Sequence, residues 1–174
     1  KRVIPMLNEL AASTRLIAVR GNCEAEVDQM VLEFPCMADS ASVVDENGRE
    51  LFCTHGHVFG AGMHNSVDRV PALRAGSALV YGHTHIKVNE QSASHPGVWL
   101  FNPGSVSIPK DGTHSYGIYE SRKALGEAFR HVVLEEAPAE GDSVLERAAS
   151  ALRHIACASN GMPDRERMAR CENQ

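Results

Sequence analysis

Three short runs in the first half of the chain, each rich in apolar residues, are followed at once by a loop that carries asparagine or histidine. The three junctions are Leu16–Val19 before Arg20-Gly21-Asn22, Glu50–Thr54 before His55-Gly56-His57, and Ala78–Tyr81 before Gly82-His83-Thr84-His85. Short apolar runs bounded by turn residues are typical of buried strands. Because ligands collect at the carboxyl ends of the strands in open α/β sheets, the sequence predicts an α/β fold with a polar site at one sheet edge.

The remaining pattern predicts a few helices and a second half that is rich in strands. Helices are expected from the turn that contains Pro5 to Ser13 or Thr14, at Glu26–Phe34 and at Ser66–Ala75. The Asn47-Gly48 pair predicts a β-hairpin that joins Ala41–Asp45 to Glu50–Thr54. Further strands are expected at Ile86–Gln91, Val98–Phe101, Tyr116–Tyr119 and Phe129–Leu134.

Composition argues against several classes of protein. The 174 residues are 43% hydrophobic, which fits one domain with an appendage. The 17 basic and 22 acidic residues give a net charge of -5, which argues against a broad nucleic-acid surface. No apolar run reaches the roughly 18 residues of a membrane helix. The five cysteines form no CxxC pair, which favours reduced thiols in a cytoplasmic protein.

A change of composition near residue 135 divides the chain into two parts. Residues 1–135 form the predicted core. A linker rich in proline, glycine and acidic residues then leads to Ser143-x-x-Glu146, a capping box for an amphipathic helix that extends to Ile155. The charged stretch from Asn160 to Gln174 is expected to be disordered. We therefore expect residues 136–174 to be an appendage.

The histidine clusters have spacings that suit metal ions. In extended chain, His83 and His85 would project to the same side with about 6 to 7 Å between their α-carbons. That separation suits two ions about 3.5 to 4 Å apart. His55-Gly56-His57 adds a second cluster, and Asn22 offers an amide oxygen. Each feature alone also fits an ordinary surface loop, since histidine pairs are often only solvated and Gly-Asn is often a turn.

In chain order the three loops form the series Gly-Asn-x-(Asp/Glu), His-Gly-His and Gly-His-x-His. This series resembles that of the calcineurin-like phosphoesterase superfamily, and in particular the small bacterial phosphodiesterases of the YfcE type. The matching segments are Ile17–Glu24, Glu26–Met30, Thr54–His57, Val80–His85 and Phe101–Lys110. The resemblance covers roughly residues 1–134.

The resemblance implies a two-sheet β-sandwich core flanked by helices, and an enzyme that hydrolyses phosphodiesters through a hydroxide bridging two metal ions. It also implies that Asn22, His55 and His83 bind one ion and that His85 binds the other. Mn²⁺ is the expected metal, with Zn²⁺, Fe²⁺, Ni²⁺ or Mg²⁺ as alternatives. The expected substrate is a small phosphodiester or phosphate ester, and an oligomer is compatible with these expectations.

Two further segments are assigned by the same resemblance. Asn102-Pro103-Gly104-Ser105 is expected to form a loop near the site. Cys23 stands where many relatives carry a histidine that assists the leaving group. Because a thiol is a weak hydrogen-bond donor, Cys23 indicates substrates with good leaving groups or the use of another acid. A small buried loop filler is the equal alternative for this residue.

The chain departs from the family pattern before Gly21. Relatives carry Asp-x-His and a Gly-Asp whose carboxylate bridges both ions, and neither motif occurs before Gly21. We therefore expect a chain that is incomplete at its N-terminus, lacks the first strands and is inactive as given. Two alternatives stay open: a non-catalytic scaffold of the same fold that binds proteins, and a single structural or regulatory metal site.

Truncation after Glu135 should leave the melting temperature nearly unchanged, because residues 136–174 follow a linker and lie outside the family resemblance. Thermal unfolding of both forms, followed by circular dichroism, measures the difference. A fall of more than about 5 °C, equivalent to roughly 1 kcal/mol in a domain of this size, would show instead that the helix ending near Ile155 is docked on the core.

Overall fold

The computed structural model describes residues 3–59 and 69–134. The elements in this part of the chain are α1 (Val3–Ser13), α2 (Glu26–Val31), β1 (Ser40–Val44), β2 (Glu50–Thr54), β3 (Ala78–Val80), β4 (Lys87–Gln91), β5 (Trp99–Pro103), β6 (Ser115–Tyr119), α3 (Leu125–Ala128) and β7 (Phe129–Val133). Five strands form one sheet in the order β1-β2-β3-β5-β4, and β6 pairs with β7 in a second. The predicted α/β class with two sheets is confirmed.

Most of the predicted elements are present. The expected hairpin is β1 paired antiparallel with β2, from Ser40 opposite Thr54 to Val44 opposite Glu50. Its turn places Gly48 at a φ of 75°, which glycine adopts at little steric cost. The four strands expected in the second half correspond to β4, β5, β6 and β7. The linker, helix and tail expected in residues 136–174 lie outside the described residues.

The strands β2, β3 and β5 are parallel neighbours in the larger sheet. Leu51 of β2 lies opposite Ala78 of β3, and Ala78 lies opposite Trp99 of β5. Parallel strands point the same way, so their carboxyl ends lie at one edge of the sheet. The loops that follow Thr54, Val80 and Pro103 therefore start close together.

Successive side chains of a strand point to opposite faces of the sheet, and an apolar cluster covers each face of the sheet's central strands. One face packs against α3 and β7 in a cluster formed by Leu51, Ala78, Phe101, Ala128 and Phe129. The other face carries Leu79, Tyr81, Val88 and Leu100, with Phe52, Val70 and Leu73 packed against them. The rings of Phe101 and Phe129 stack with centroids 4.7 Å apart, and full burial of such a side chain contributes roughly 1.5 to 3 kcal/mol.

Polar contacts fasten the hairpin turn to the second sheet. Tyr119 OH donates to Oδ2 of Asp45 at 2.7 Å and accepts from Nη1 of Arg49 at 2.7 Å. Nδ2 of Asn47 donates to the carbonyl of Ser121 at 2.8 Å. These bonds join residues that are 70 to 74 positions apart in the sequence and fix the two sheets relative to each other.

Two sequence predictions were wrong. Leu16–Val19 forms no strand: residues 14–20 belong to neither sheet, Ile17 is 44% exposed, and the backbone is held by Arg20 N–H donating to the carbonyl of Ala38 at 2.7 Å. An apolar run becomes a strand only when a neighbouring strand satisfies its backbone, and the described residues provide none.

The helix expected at Ser66–Ala75 is also absent over residues 69–75, while residues 66–68 lie outside the described part. Pro71 accounts for this, since proline lacks a backbone N–H and disfavours helical conformation in the residue before it. Val70 and Leu73 pack on the sheet without a helix. Similarly, α2 ends at Val31, before the predicted Phe34, because Leu32 is already extended three residues ahead of Pro35.

The short helix α3 was not predicted, since its four residues hold too little sequence to show a helical period. Across the described residues, none of the helices has both the length and the apolar character needed to cross a membrane.

Stability should fall in acid partly through Asp45. The hydrogen bond from Tyr119 lowers the pKa of Asp45 below its usual 3.8. Burial acts in the opposite direction, but the backbone N–H groups of Asn47 and Arg49 and the charge of Arg49 lower the pKa further. A carboxyl group whose pKa is lower in the folded than in the unfolded state stabilises the folded protein. This stabilisation is complete above the unfolded-state pKa and is lost as the pH falls through the folded-state pKa. Asp45→Asn should therefore lower the melting temperature most at neutral pH, with a difference that shrinks below about pH 4.

Thermal unfolding of both proteins between about pH 7 and pH 3 tests this. Tyr119→Phe, which removes the strongest of these bonds, should flatten the same pH dependence in part. A melting-temperature difference that stays constant over the whole range would contradict a role for the Asp45 carboxylate.

Candidate functional site

The loops after β2 and β3 lie side by side because the two strands are parallel neighbours. His55 directly follows the last residue of β2, and His83 follows β3 after two residues. The N–H of Gly82 donates to the carbonyl of His55 at 3.0 Å, which joins the two loops. The sheet therefore brings together two histidines that are 28 residues apart in the sequence.

Asn22, His55 and His83 form a compact cluster at this edge. Oδ1 of Asn22 lies 2.8 Å from Nε2 of His55 and 3.2 Å from Nδ1 of His83. The two ring nitrogens are 3.2 Å apart. The structure thus brings together three of the four residues that the resemblance assigned to metal ions.

The three facing atoms have the spacing of neighbouring ligands around one cation. Two ligands at right angles, each about 2.0 to 2.2 Å from an ion, lie about 2.8 to 3.1 Å apart. Imidazole nitrogens and an amide oxygen are suitable donors for several divalent metals. In the described part of the chain, no group of three or more His, Cys, Asp or Glu side chains could hold a metal ion. The third facing atom of this cluster is the amide oxygen of Asn22.

The electrostatics of the cluster favour an unprotonated His55. Burial first, and then the neighbouring imidazoles of His83 and His57, lower the pKa of His55, while Glu24 opposes the shift. A histidine must be unprotonated to bind a metal. The same surroundings that bring the rings together therefore favour the form of His55 that carries a lone pair on its ring.

His85 is held separately from the cluster. Its Nδ1 lies 2.6 Å from the carbonyl oxygen of Ile108, and a carbonyl can only accept, so Nδ1 carries the proton. The N–H of Lys110 donates to the carbonyl of His85 at 3.0 Å, which holds the 108–110 segment against it. In the neutral ring this tautomer leaves the lone pair on Nε2.

The backbone around the histidine pair differs from the extended chain that we expected. His83 and His85 both have a φ of 62°, in the left-handed region that non-glycine residues seldom occupy. Each such residue costs on the order of 1 to 3 kcal/mol, so its surroundings must hold it there. The same-side projection inferred from an extended strand was therefore wrong in its premise. Asn102 and Pro103, expected in a loop, are the last two residues of β5.

Glycines permit the close approach of the loops. A β-carbon on Gly21 would collide with the carboxylate of Glu24 and lie 3.4 Å from Cε1 of His55. Gly56, between the two histidines of the second cluster, has a φ of 105°. A β-carbon there would lie 3.4 Å from Cδ2 of Tyr81. At Gly21 the clash is with the flexible end of the Glu24 side chain, whereas at Gly56 the constraint is the positive φ and not the space.

Two more residues border the cluster. Cys23 is exposed, and its sulfur accepts a hydrogen bond from Nδ2 of Asn22 at 3.4 Å, so it is not the buried filler that was its alternative. The ring of His57 lies 5.3 Å from that of His55 and 6.1 Å from that of His83. Its buried Nδ1 has no hydrogen-bond partner in the described structure. The sequence showed His57 in its motif but gave no reason to assign it a role.

Comparison with known proteins identifies the family. Residues 2–124 match the calcineurin-like phosphoesterase superfamily domain. The chain belongs to this family.

The relatives are bacterial and archaeal phosphoesterases. The chain is 49% identical over 121 residues to phosphodiesterase YfcE of Escherichia coli K12, a match that covers 69% of this chain and 59% of that protein. The same values hold for YfcE of Escherichia coli O157:H7. The chain thus spans less than two thirds of the length of these curated relatives.

Two solved structures are similar to the fold. That of YfcE, a phosphoesterase from E. coli, has a TM-score of 0.60 and 43% identity, and the match covers 77% of this chain and 71% of that one. That of an archaeal phosphodiesterase has a TM-score of 0.52 and 25% identity, with 76% of each chain covered. These likenesses agree with the phosphodiesterase resemblance seen in the sequence.

Gly56→Ala should destabilise the domain by roughly 1 to 3 kcal/mol, because alanine is strained at a φ of 105°. The melting temperature should fall by at least about 5 °C. Gly48→Ala is the matched control: its φ is also positive but, at 75°, it lies close to the left-handed region that residues with a β-carbon can adopt, whereas 105° lies well outside it. Equal losses for the two variants in thermal unfolding would contradict the special constraint at Gly56.

Proposed function

We propose that this chain contributes to a metal-dependent phosphodiesterase centre in which Asn22, His55 and His83 hold one divalent ion. The observation that carries the proposal is the mutual spacing of 2.8 to 3.2 Å among their facing atoms. Membership of the calcineurin-like phosphoesterase family supports the reaction class. The phosphodiesterase names of the similar E. coli proteins support a diester as the substrate.

The residues of the chain bind and orient in this proposal. Asn22, His55 and His83 would hold one ion, and His85 would offer Nε2 to a second, since its Nδ1 is used by the carbonyl of Ile108. Bound divalent ions lower the pKa of a water molecule and offset charge on the attacking and leaving oxygens. Mn²⁺ is the proposed metal, and Zn²⁺, Fe²⁺, Ni²⁺ and Mg²⁺ are alternatives that the same donors accept.

The proposed substrate is a small phosphodiester or phosphate ester. The net charge of -5 provides no broad attraction for a nucleic-acid backbone, so recognition would depend on the metals and the adjoining loops. Cys23 is the proposed donor to the leaving group, because it is exposed and adjoins Asn22. As a weak donor it suits leaving groups that need little assistance.

Reduced thiols support a cytoplasmic location. Cys23, Cys36 and Cys53 are free in the described part of the chain. Thiols stay reduced in the cytosol, whereas oxidising compartments favour disulfides. An oligomer is compatible with the proposal.

We further propose that the 174-residue chain alone holds one ion and hydrolyses diesters poorly. Its sequence has no Asp-x-His or Gly-Asp before Gly21. Without a bridging carboxylate, two dications about 3.5 to 4 Å apart repel each other strongly. One ion cannot contact both the attacking and the leaving oxygen.

Titration calorimetry with Mn²⁺ should show one equivalent bound by the chain, and His83→Ala should weaken binding at least about tenfold because it removes a ligand. The matched control is His95→Ala. His95 lies in the turn before β5, at the opposite end of the sheet, and bonds to Ser94. The His95→Ala variant should bind Mn²⁺ as tightly as the unaltered chain does.

Hydrolysis of an activated phosphodiester with Mn²⁺ completes the test. Activity should be low for this chain, high for a form extended upstream by Asp-x-His and Gly-Asp, and lost again in that form with His83→Ala. Full activity of the 174-residue chain would contradict the ligand assignment. An extended form that binds Mn²⁺ but hydrolyses nothing would favour the non-catalytic scaffold.

A further inference from the structure

Asn102 is a fully buried polar residue beside the histidine pair. It lies in β5, where it is 0% exposed, and Val88 of β4 lies opposite it. A buried amide is costly unless its polar atoms are hydrogen-bonded. The partners of Asn102 therefore show what its side chain does.

Each polar atom of the Asn102 side chain is bonded to the loops around the site. Nδ2 donates to the carbonyl of Gly82 at 2.8 Å and to Oγ1 of Thr84 at 3.0 Å. Oδ1 accepts from the N–H of Gly104 at 3.0 Å. The orientation of the amide is fixed, because reversing it would set Oδ1 against the carbonyl of Gly82 and NH₂ against an N–H donor.

These bonds lie on both sides of His83 and on the N-terminal side of His85. Gly82 immediately precedes His83, and Thr84 lies between His83 and His85, which both have a φ of 62°. Thr84 is itself buried, with 4% of its surface exposed. The Asn102 amide therefore bonds to the residue before His83 and to the residue between His83 and His85.

We propose that Asn102 is a positioning residue that holds His83 and His85 in left-handed conformation and so aims both rings at their metal ions. The inference rests on the proposed metal site. Thr84 takes part in this role, because its hydroxyl is the second group that accepts a hydrogen bond from the Asn102 amide. Asn102 itself is not among the proposed ligands.

Asn102 is also hydrogen-bonded to the second sheet. Nε2 of His131, in β7, donates to the backbone carbonyl of Asn102 at 2.8 Å. The ring of His131 stacks on Phe101 with centroids 4.9 Å apart. The second sheet thus fixes the backbone from which the amide reaches the site.

Asn102→Asp tests the proposal, because a carboxylate of nearly the same shape cannot make both donations. We expect the backbone chemical shifts of residues 83 and 85 to lose their left-handed values. Mn²⁺ affinity should fall about 10- to 100-fold, as for other partners that orient metal ligands. Thr84→Val should cause a smaller loss of the same kind, whereas Thr84→Ser, which keeps the hydroxyl, should match the unaltered chain.

Asn89→Asp is the matched control. Asn89 lies on the neighbouring strand β4 and is exposed. Its Nδ2 donates to the carbonyl of Phe129 and its Oδ1 accepts from Nε1 of Trp99, away from the histidine loops. It should change stability without changing the shifts of residues 83 and 85 or the Mn²⁺ affinity. If Asn102→Asp does not fold, the contrast between Thr84→Val and Thr84→Ser decides the question.

The outcomes separate this inference from the proposed function. Folded Asn102→Asp with left-handed shifts at residues 83 and 85 and unchanged Mn²⁺ affinity would overturn the positioning role. So would equal Mn²⁺ affinities and shifts for Thr84→Val and Thr84→Ser. If the unaltered chain binds no Mn²⁺ but its left-handed shifts depend on Asn102, the conformational role stands and the proposed metal site fails.

Discussion

Parallel pairing of β2, β3 and β5 is the constraint on which the rest of the structure depends. Each strand carries apolar side chains to both faces of the sheet, and the two clusters that cover those faces leave no solvated side for the central strand β3. Parallel strands surrounded in this way must end at a common edge. His55, His83 and Asn102 reach one region because of this geometry and not because of their spacing in the sequence.

The second sheet does more than cover the core. It contributes Phe129, whose ring stacks on Phe101. Tyr119 joins one end of this sheet to the hairpin turn, and His131 bonds to Asn102 near the site. Removal of one partner from a buried hydrogen-bonded group costs about 1 to 3 kcal/mol. The antiparallel pair β6–β7 therefore positions the edge of the larger sheet as well as shielding it.

Much of this arrangement could be predicted from local sequence. The hairpin and five further strands follow from apolar runs and turn residues, and Asn22, His55 and His83 were marked by the loops in which they occur. The failures concern features that local sequence does not contain. Leu16–Val19 has the composition of a strand, but pairing depends on a neighbour that its own sequence cannot show.

The left-handed histidines could not be predicted for a related reason. Nothing in Gly82-His83-Thr84-His85 favours a positive φ at a residue with a β-carbon. The conformation is held by an amide that lies eighteen residues further along the chain, bonded to Thr84. The motif therefore showed which rings could bind metal, while the backbone that aims them is a tertiary feature.

The charge of the donor set limits what the proposed site can do by itself. Two unprotonated imidazoles and one amide leave the full charge of a bound dication uncompensated. Two dications about 4 Å apart repel by roughly 17 kcal/mol at an effective dielectric constant near 20, more than neutral ligands offset. Negative charge must therefore come from elsewhere, either from a bridging carboxylate of the family type or from a bound phosphate group. The same deficit that keeps the second ion out would attract an anionic ester to the first.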